Sequence, residues 1–208
     1  MGTVFPDLDD SLRAWIGRQP MFFVGTAPSG DSGHVNISPK GGEGTLQVLG
    51  PKELAYVDLF GSGIETVAHL KQNGRIVVMF CAFAGAPKVL RVHGRGEVLE
   101  MADPRFADVF ARFSLTDEMV PSVRSIIRID VERVADSCGY VVPELTLKQE
   151  RKALYKTADA WIRQRGDDAI QQYCDVNNGE SIDGIPGLTP FGTTVTDEAR
   201  YTADGRRL

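Results

Sequence analysis

The segment DLFGSGIETVAHL has residues that could bind a phosphate, because a strand pattern there runs through two glycines into a helix pattern. The first backbone N–H groups of a helix have no partner within the helix, so they can bind an anion. Gly61 and Gly63 allow the backbone to approach a phosphate closely, and Ser62 and Thr66 add two hydroxyl donors. The spacing matches neither a Walker loop nor GxGxxG. It therefore allows a phosphate site of another kind.

A structural interpretation accounts for the same residues. Ser62 and Glu65 have the spacing of a capping box, in which the two side chains accept hydrogen bonds from free N–H groups at the helix start. A carboxylate at Glu65 would also repel a phosphate. The sequence leaves both interpretations open.

A second polar group lies on the run HVNISPKGG. Asn36, Ser38 and Lys40 alternate along this run and so share one face of a strand, with Lys40 at the glycine-rich end. They could bind a polar heterocycle and its phosphate, although an exposed strand edge before a loop would give the same pattern. On a later strand, Arg91 begins a basic stripe that could neutralise a phosphate or form the solvated face of a sheet.

The cysteines and histidines do not indicate further chemistry. The three cysteines have no CxxC or Cys/His spacing, so the sequence predicts neither a disulfide framework nor a zinc site. The three histidines lack the spacing of a metal site, and no Ser/His/Asp order indicates a hydrolase. We therefore predict no bound metal, and the sequence does not identify a catalytic side chain.

The composition is that of an ordinary globular protein, with 42% hydrophobic and 25% charged residues among 208. A net charge of -5 argues against broad contact with nucleic acid, whose phosphates require clustered cations. The apolar run at residues 76–84 is too short to cross a bilayer as a helix, and the start MGTVFPDLDD lacks the features of a signal peptide. We expect a cytoplasmic protein without membrane or nucleic-acid partners.

The elements that must position these residues are mostly strands. Before Pro20, apolar residues at helical spacing predict a short helix, and β-rich runs separated by Gly and Pro clusters over residues 21–59 predict an antiparallel meander. A helix then interrupts the strands and stops at Asn73-Gly74. Alternating or apolar runs resume at RIVVMFCAF, KVLRVHGRGEVLE and SIIRIDVERV.

After Pro143 the pattern becomes helical. Two helical stretches meet at Arg165-Gly166, and a polar tail follows from Asn177 that we expect to dock as an extended arm. Many short antiparallel strands, one inserted helix and a helical tail predict an α+β fold dominated by β-structure, with a closed barrel.

Four segments in this order resemble the pyridoxamine 5'-phosphate oxidase-like FMN-binding split-barrel family: HVNISPKGG, YVDLFGSGIETVAHLKQNGRIVVMFCAF, KVLRVHGRG and DSCGYVVPE. The resemblance spans about residues 21–145 and is strongest to a branch of flavoproteins with GSG-x-ET-x-A-H-L and SCGY-x-VP. SIDGIPGL in the tail is similar to the same branch. The resemblance implies a split antiparallel β-barrel domain at residues 1–145. Residues 146–208 would then form helices and an arm that pack on the barrel or on a dimer partner.

The family fold implies a homodimer that binds FMN in two symmetry-related clefts lined by both subunits. Residues 35–40 match the strand that contacts the flavin ring and phosphate, residues 57–66 match the strand-to-helix segment at the phosphate, and residues 88–92 match the adjacent strand. Lys40 and Arg91 would be the cations. The cofactor-binding residues that the resemblance implies are Asn36, Ser38, Lys40, Asp58, Gly61, Ser62, Gly63, Thr66 and Arg91.

The sequence departs from the authentic vitamin B6 oxidase at three places. The basic pair that follows the serine of the helix start is replaced by Gly63 and Ile64, so we expect weaker phosphate binding. A glutamine of the later flavin strand is replaced by Val89, and the C-terminal signature with Arg and His flanking one residue is absent from ESIDGIPGLTPFG. We therefore do not expect vitamin B6 oxidation.

The expected function is that of an FMN-dependent oxidoreductase acting on a small molecule, with NADH or NADPH as candidate reductants. FMN would supply the redox chemistry and the protein the positioning. Two alternatives stay open. One is a deazaflavin-dependent reductase, which the missing basic pair allows, and the other is a non-catalytic flavin or haem binder, since function belongs to the site and not to the fold.

Overall fold

The structure, a computed structural model, describes residues 2–193 of the chain. The strands precede the last two helices of the described residues, and a helix is inserted among them at Glu65–Asn73, as the sequence predicts; a short 3₁₀ turn at Val120–Ser122 precedes the last strand. The elements are β1 (Val4–Phe5), α1 (Asp10–Ile16), β2 (Met21–Thr26), β3 (Asn36–Gly41), β4 (Leu46–Gly50), β5 (Glu53–Leu59), α2 (Glu65–Asn73), β6 (Arg75–Cys81), β7 (Val89–Glu100), α3 (Phe106–Phe110), β8 (Val123–Ser137), α4 (Ala153–Arg165) and α5 (Ala169–Asn177).

The eight strands form one antiparallel sheet in the order β3-β2-β6-β7-β8-β5-β4, with β1 paired to β8. The sheet curls into a half-barrel, which confirms the β-dominated α+β split barrel. The closed barrel expected from the strand pattern is wrong, because the end strands β3 and β4 do not pair. The strand order also corrects the meander expected over residues 21–59, because β3 and β4 lie at its opposite ends. The reason is pairing over long sequence distances, since β2 pairs with β6 and β5 pairs with β8. The open side between β3 and β4 is the split in the barrel.

Apolar side chains fill the concave side of the sheet. Phe22 lies 5.4 Å from Tyr56 and 5.9 Å from Phe80, measured between ring centroids, and all three residues are buried. Helix α2 covers this core, and its residues 66–70 are buried. Gly74 ends the helix with φ of 69°, a left-handed conformation that favours glycine, so the predicted stop signal is confirmed.

Helices α4 and α5 join the same core through aromatic contacts. Trp161 of α4 and Tyr173 of α5 lie 5.7 and 5.5 Å from Phe60, between ring centroids. Beyond α5 the chain folds back through a single bridge between Glu180 and Pro186. Docking of the expected arm can be described only up to residue 193, and the rest of that arm lies outside the described residues.

Over residues 2–193, none of the helices combines the length and the apolar character needed to span a bilayer.

Candidate functional site

The start of helix α2 leaves several backbone donors free. The residue that caps the helix is Ile64, with φ of -128° and ψ of 1°, and no side chain caps it. The first helical bond runs from the N–H of Ala68 to the carbonyl of Ile64. Within the described residues, the N–H groups of residues 65–67 therefore have no partner. The capping box between Ser62 and Glu65 does not form, and of the two interpretations of this segment the capping box is wrong.

Arg124 of β8 holds the loop before this helix in place. Its guanidinium is almost fully buried, with 4% of the side chain exposed. It donates to Asp58 Oδ2 at 2.8 Å, to the Gly61 carbonyl at 2.9 Å, to Asn178 Oδ1 at 2.8 Å and to the Gly63 carbonyl at 2.7 Å. Because these bonds turn the two glycine carbonyls toward Arg124, they fix the loop from one side and tie it to the C-terminal extension.

The Asp58 carboxylate lies between two cations. Lys40 Nζ donates to Oδ1 at 2.9 Å, and Arg124 donates to Oδ2. Burial by itself would raise the pKa of Asp58, but the two cations outweigh it and lower that pKa from 3.8 to about 2. Asp58 is therefore ionised at neutral pH. The Lys40–Asp58 ion pair joins β3 to β5 across the split, so Lys40 is not an unpaired cation.

Asn36, the first residue of β3, is the centre of a polar network that links β3 to β2 and α2. Its side-chain amide donates to the hydroxyls of Thr26 at 3.1 Å and Thr66 at 3.0 Å, and its oxygen accepts from Ser38 at 3.0 Å. Thr26 also bonds Nδ1 of the buried His69 at 3.0 Å. Both donor protons of Asn36 are thus used inside the protein. The network fixes Ser38 and Thr66 next to the loop that Arg124 holds.

Two cavities meet at Gly63. The first, which we call the split cavity, has a volume of about 340 Å³ and is bordered by Ser38, Lys40, Gly61, Gly63 and Arg124 among others. The second, the helix-start cavity, has a volume of about 510 Å³ and is bordered by residues that include Asn36, Ser62, Gly63, Glu65 and Ile182.

The electrostatic character of the two cavities differs. Lys40, Arg124 and Asp58 together leave a net charge of about +1 beside the split cavity. Among the residues of the described part of the chain that border it, the helix-start cavity has the Glu65 carboxylate and no Lys or Arg. A Cβ atom added at Gly63 would lie 3.2 Å from Glu65 Oε2, so this carboxylate lies against the loop and is not turned away from it.

Arg91 lies on the other face of the sheet. Arg91 pairs across the strands with Met79, and Met79 pairs with Phe23, so these three side chains lie on one face of the sheet. Lys40 instead stands opposite the buried Phe22, in the alternate row of side chains. The structure therefore brings together every cofactor-binding candidate except Arg91. Arg91 instead donates to the Ser137 hydroxyl at 3.0 Å.

Comparison with known proteins agrees with this architecture. Residues 8–138 match the family described as pyridoxamine 5'-phosphate oxidase. The chain belongs to this family. A family protein named ustO, from Aspergillus flavus, is 39% identical over 201 residues, which cover 90% of this chain and 78% of that protein.

Two solved structures are also similar to this pyridoxamine 5'-phosphate oxidase family chain. HupZ of Group A Streptococcus is 19% identical, with 61% of this chain and 90% of that chain covered and a TM-score of 0.45. An FMN-binding protein from Syntrophomonas wolfei subsp. wolfei is 15% identical, with 66% and 84% covered and a TM-score of 0.45.

The family match contains β3, the loop before α2 and Arg124, but not Asn178 or helices α4 and α5. The sequence analysis missed both Arg124 and Asn178. The signal for Arg124 was a cation inside the apolar run VRSII, where an unpaired charge is costly. No pattern in the sequence indicates Asn178, because its partners lie at Gly61 and Arg124, far away in the chain.

Proposed function

We propose that this protein binds FMN in the split and helix-start cavities and uses it to oxidise or reduce a small molecule. The observation that carries the proposal is the free N–H groups of residues 65–67, which follow in the chain directly after the loop at Gly63 where the two cavities meet, in a member of this family. Such groups bind phosphate without a lysine or arginine. They therefore offer a site for the FMN phosphate in the absence of the family's basic pair.

We infer one orientation for the cofactor from the residues present. The phosphate would accept from the N–H groups of residues 65–67 and from the exposed hydroxyl of Ser62, with Gly63 allowing close approach. The ring would follow β3 toward Ser38 and Lys40. Bound there, FMN would supply electron or hydride transfer.

The protein contributes positioning and charge. Arg124 fixes the loop carbonyls, so the loop need not rearrange when a phosphate binds. Lys40 adds a cation held by Asp58 at the far end of β3, a position suited to the negative charge of a reduced flavin. Glu65 opposes the phosphate, and FMN affinity is therefore expected to be moderate.

We further propose a homodimer. The support is an apolar surface along the β3 edge, where Val35 is 74% exposed, Ile37 is 71% exposed and the neighbouring Ile182 is 71% exposed. Clustered exposed apolar residues indicate a protein interface. The family resemblance also implies a second copy, with the cofactor bound between the two subunits. Cytoplasmic location and the use of NADH or NADPH stay predictions.

The absorption spectrum of the purified protein tests the cofactor, because flavin, deazaflavin and haem absorb differently. We expect a flavin spectrum, or quenching of added FMN fluorescence with one FMN bound per chain. Ser62→Glu places a carboxylate at the free N–H groups and should weaken FMN binding about tenfold or more. Ser114→Glu is the matched control, because Ser114 is exposed and borders neither cavity.

A haem or deazaflavin spectrum would show that the protein binds that cofactor and not FMN. Protein that carries no chromophore and leaves FMN fluorescence unchanged would refute the flavin proposal. Sedimentation of the flavin-bound protein as a monomer would refute the proposed dimer.

A further inference from the structure

A third and larger cavity lies beside the split cavity, under the segment that leads into α4. Its volume is about 630 Å³, and we call it the extension cavity. Residues 145–151 and the first turn of α4 form one wall, and the ends of β2 and β3 form the other. The family match ends at residue 138, so the first wall belongs to the C-terminal extension.

The walls of the extension cavity are mainly apolar. Met21 and Phe83 come from the barrel, and Leu145, Leu147 and Leu154 come from the extension. Leu145 and Leu147 are each 57% exposed, so this wall offers apolar surface that a ligand could cover. An apolar body of one or two rings is the kind of molecule that such walls would hold.

Polar groups on the wall that the extension forms favour an anion. Lys148 and Arg151 line it, and neither forms an ion pair with any of residues 2–193. The Tyr155 hydroxyl also lines it without a hydrogen-bond partner in that part of the chain. Burial, with a further contribution from Glu150 and Glu118, raises the pKa of Tyr155, so its hydroxyl remains a donor at neutral pH.

The charges around the cavity leave an excess of cations. Of residues 2–193, Glu150 is the one carboxylate that lines the cavity, against Lys148 and Arg151, while the lining Lys40 is already paired with Asp58. Helix α4, which is 13 residues long, starts at this wall with no acidic residue in its first turn and no side-chain cap. Its dipole therefore adds to the preference for negative charge.

We propose that the extension cavity binds an apolar, ring-containing small molecule that carries one anionic group such as a carboxylate or sulfonate. The rings contact the leucine wall, and the anionic group accepts from Lys148, Arg151 and Tyr155. The specificity for charge thus lies in the C-terminal extension and not in the barrel.

This site is placed to hold the substrate of the proposed flavin. The extension and split cavities share Pro39, Lys40, Gly41 and Leu154, so occupants of the two would be neighbours. The description of this ligand as a substrate rests on the proposed function. The binding of an apolar anion does not, because none of the three polar groups borders the two cavities proposed for FMN.

Calorimetric titration of the full-length protein with two matched probes tests the proposal. Naphthalene-2-sulfonate has the proposed chemistry, and naphthalene-2-sulfonamide has the same rings without the charge. We expect the sulfonate to bind about tenfold more tightly, and Lys148→Gln and Arg151→Gln each to weaken it about threefold to tenfold without affecting the sulfonamide. Arg163→Gln is the control, because it removes a charge from the far end of α4.

The same titrations separate this proposal from the FMN proposal. Binding of the sulfonate should persist with saturating FMN, and Lys148→Gln and Arg151→Gln should leave FMN titration unchanged. Equal affinity for the two probes, an equal effect of Arg163→Gln, or displacement of the sulfonate by FMN would overturn the site. If the protein binds the sulfonate as expected but does not bind FMN, the anion site is supported and only its role as a substrate site is refuted.

Discussion

Asp58→Asn removes the charge that holds two cations at the split of the barrel. In the parent protein the Asp58 side chain is 1% exposed and accepts from Lys40 and Arg124. Loss of one partner from a buried ion pair costs about 3–5 kcal/mol, because the remaining charge stays buried without compensation. We expect about 3 kcal/mol, since the asparagine oxygen can still accept one bond. Glu53→Gln is the control. It removes a carboxylate from the half-buried Arg128, and we expect it to cost about 1 kcal/mol or less.

The lowered pKa of Asp58 makes the free energy of unfolding depend on pH, and this dependence shows whether the charge of Asp58 causes the stabilisation. Because its folded pKa of about 2 lies below the ordinary 3.8, ionisation of Asp58 stabilises the folded state above pH 3.8, and this stabilisation is lost as pH falls toward 2. The difference between the two pKa values is worth about 2 kcal/mol, of which about 1 kcal/mol is lost at pH 3. Asparagine does not titrate, so the variant lacks this loss.

Urea unfolding of parent and variants at pH 7 and pH 3, followed by tryptophan fluorescence, measures both effects. The free energy of unfolding should differ between parent and Asp58→Asn by about 3 kcal/mol at pH 7 and by about 2 kcal/mol at pH 3. A difference that does not change with pH would show that the carboxylate is not held ionised by its partners. An effect no larger than that of Glu53→Gln would refute the buried ion pair itself.

Three further substitutions test the loop and the cofactor orientation. Ser62→Ala should change the free energy of unfolding of the FMN-free protein by less than about 0.5 kcal/mol, because Ser62 does not cap α2, while FMN titration should show a loss of affinity of several fold. A loss of stability without a loss of affinity would restore the capping interpretation. Glu65→Gln should tighten FMN binding about threefold or more in the same titration, and unchanged affinity would place the phosphate elsewhere. Asn178→Ala removes the bonds to Arg124 and to the Gly61 carbonyl and should lower stability in urea by about 1–3 kcal/mol; a neutral result would mean that the extension does not support the loop.

Much of the fold follows from local patterns in the sequence. Periodicity predicted α1, α2, α4 and α5 and most of the strands, and Asn73-Gly74 predicted the end of α2 because glycine adopts the left-handed conformation found at Gly74. The grouping of Asn36, Ser38 and Lys40 on one face also follows from the two-residue period of a strand. The family could be identified from motifs spread over the barrel.

The strand order and the partners of the polar groups depended on the tertiary structure. Asp58 pairs with β8 next to Arg124, and the two residues are 66 positions apart, so no local pattern links them. Only the register shows that Arg91 and Lys40 lie on opposite faces. Alternation along one strand groups the side chains of that strand, but it does not show which side chains of a distant strand lie on the same face.

The chain by itself determined which segments form helices and strands and which side chains share a face, because these properties depend on residues a few positions apart. It could not decide between an anion site and a capping box at Ser62, since both need the same residues at the same spacing. The tertiary structure excluded the capping box, because the helix begins after Ile64 with no side-chain cap and the preceding loop is bonded to Arg124 and Asn178 from outside the segment. The anion site stays a prediction that the FMN titrations test.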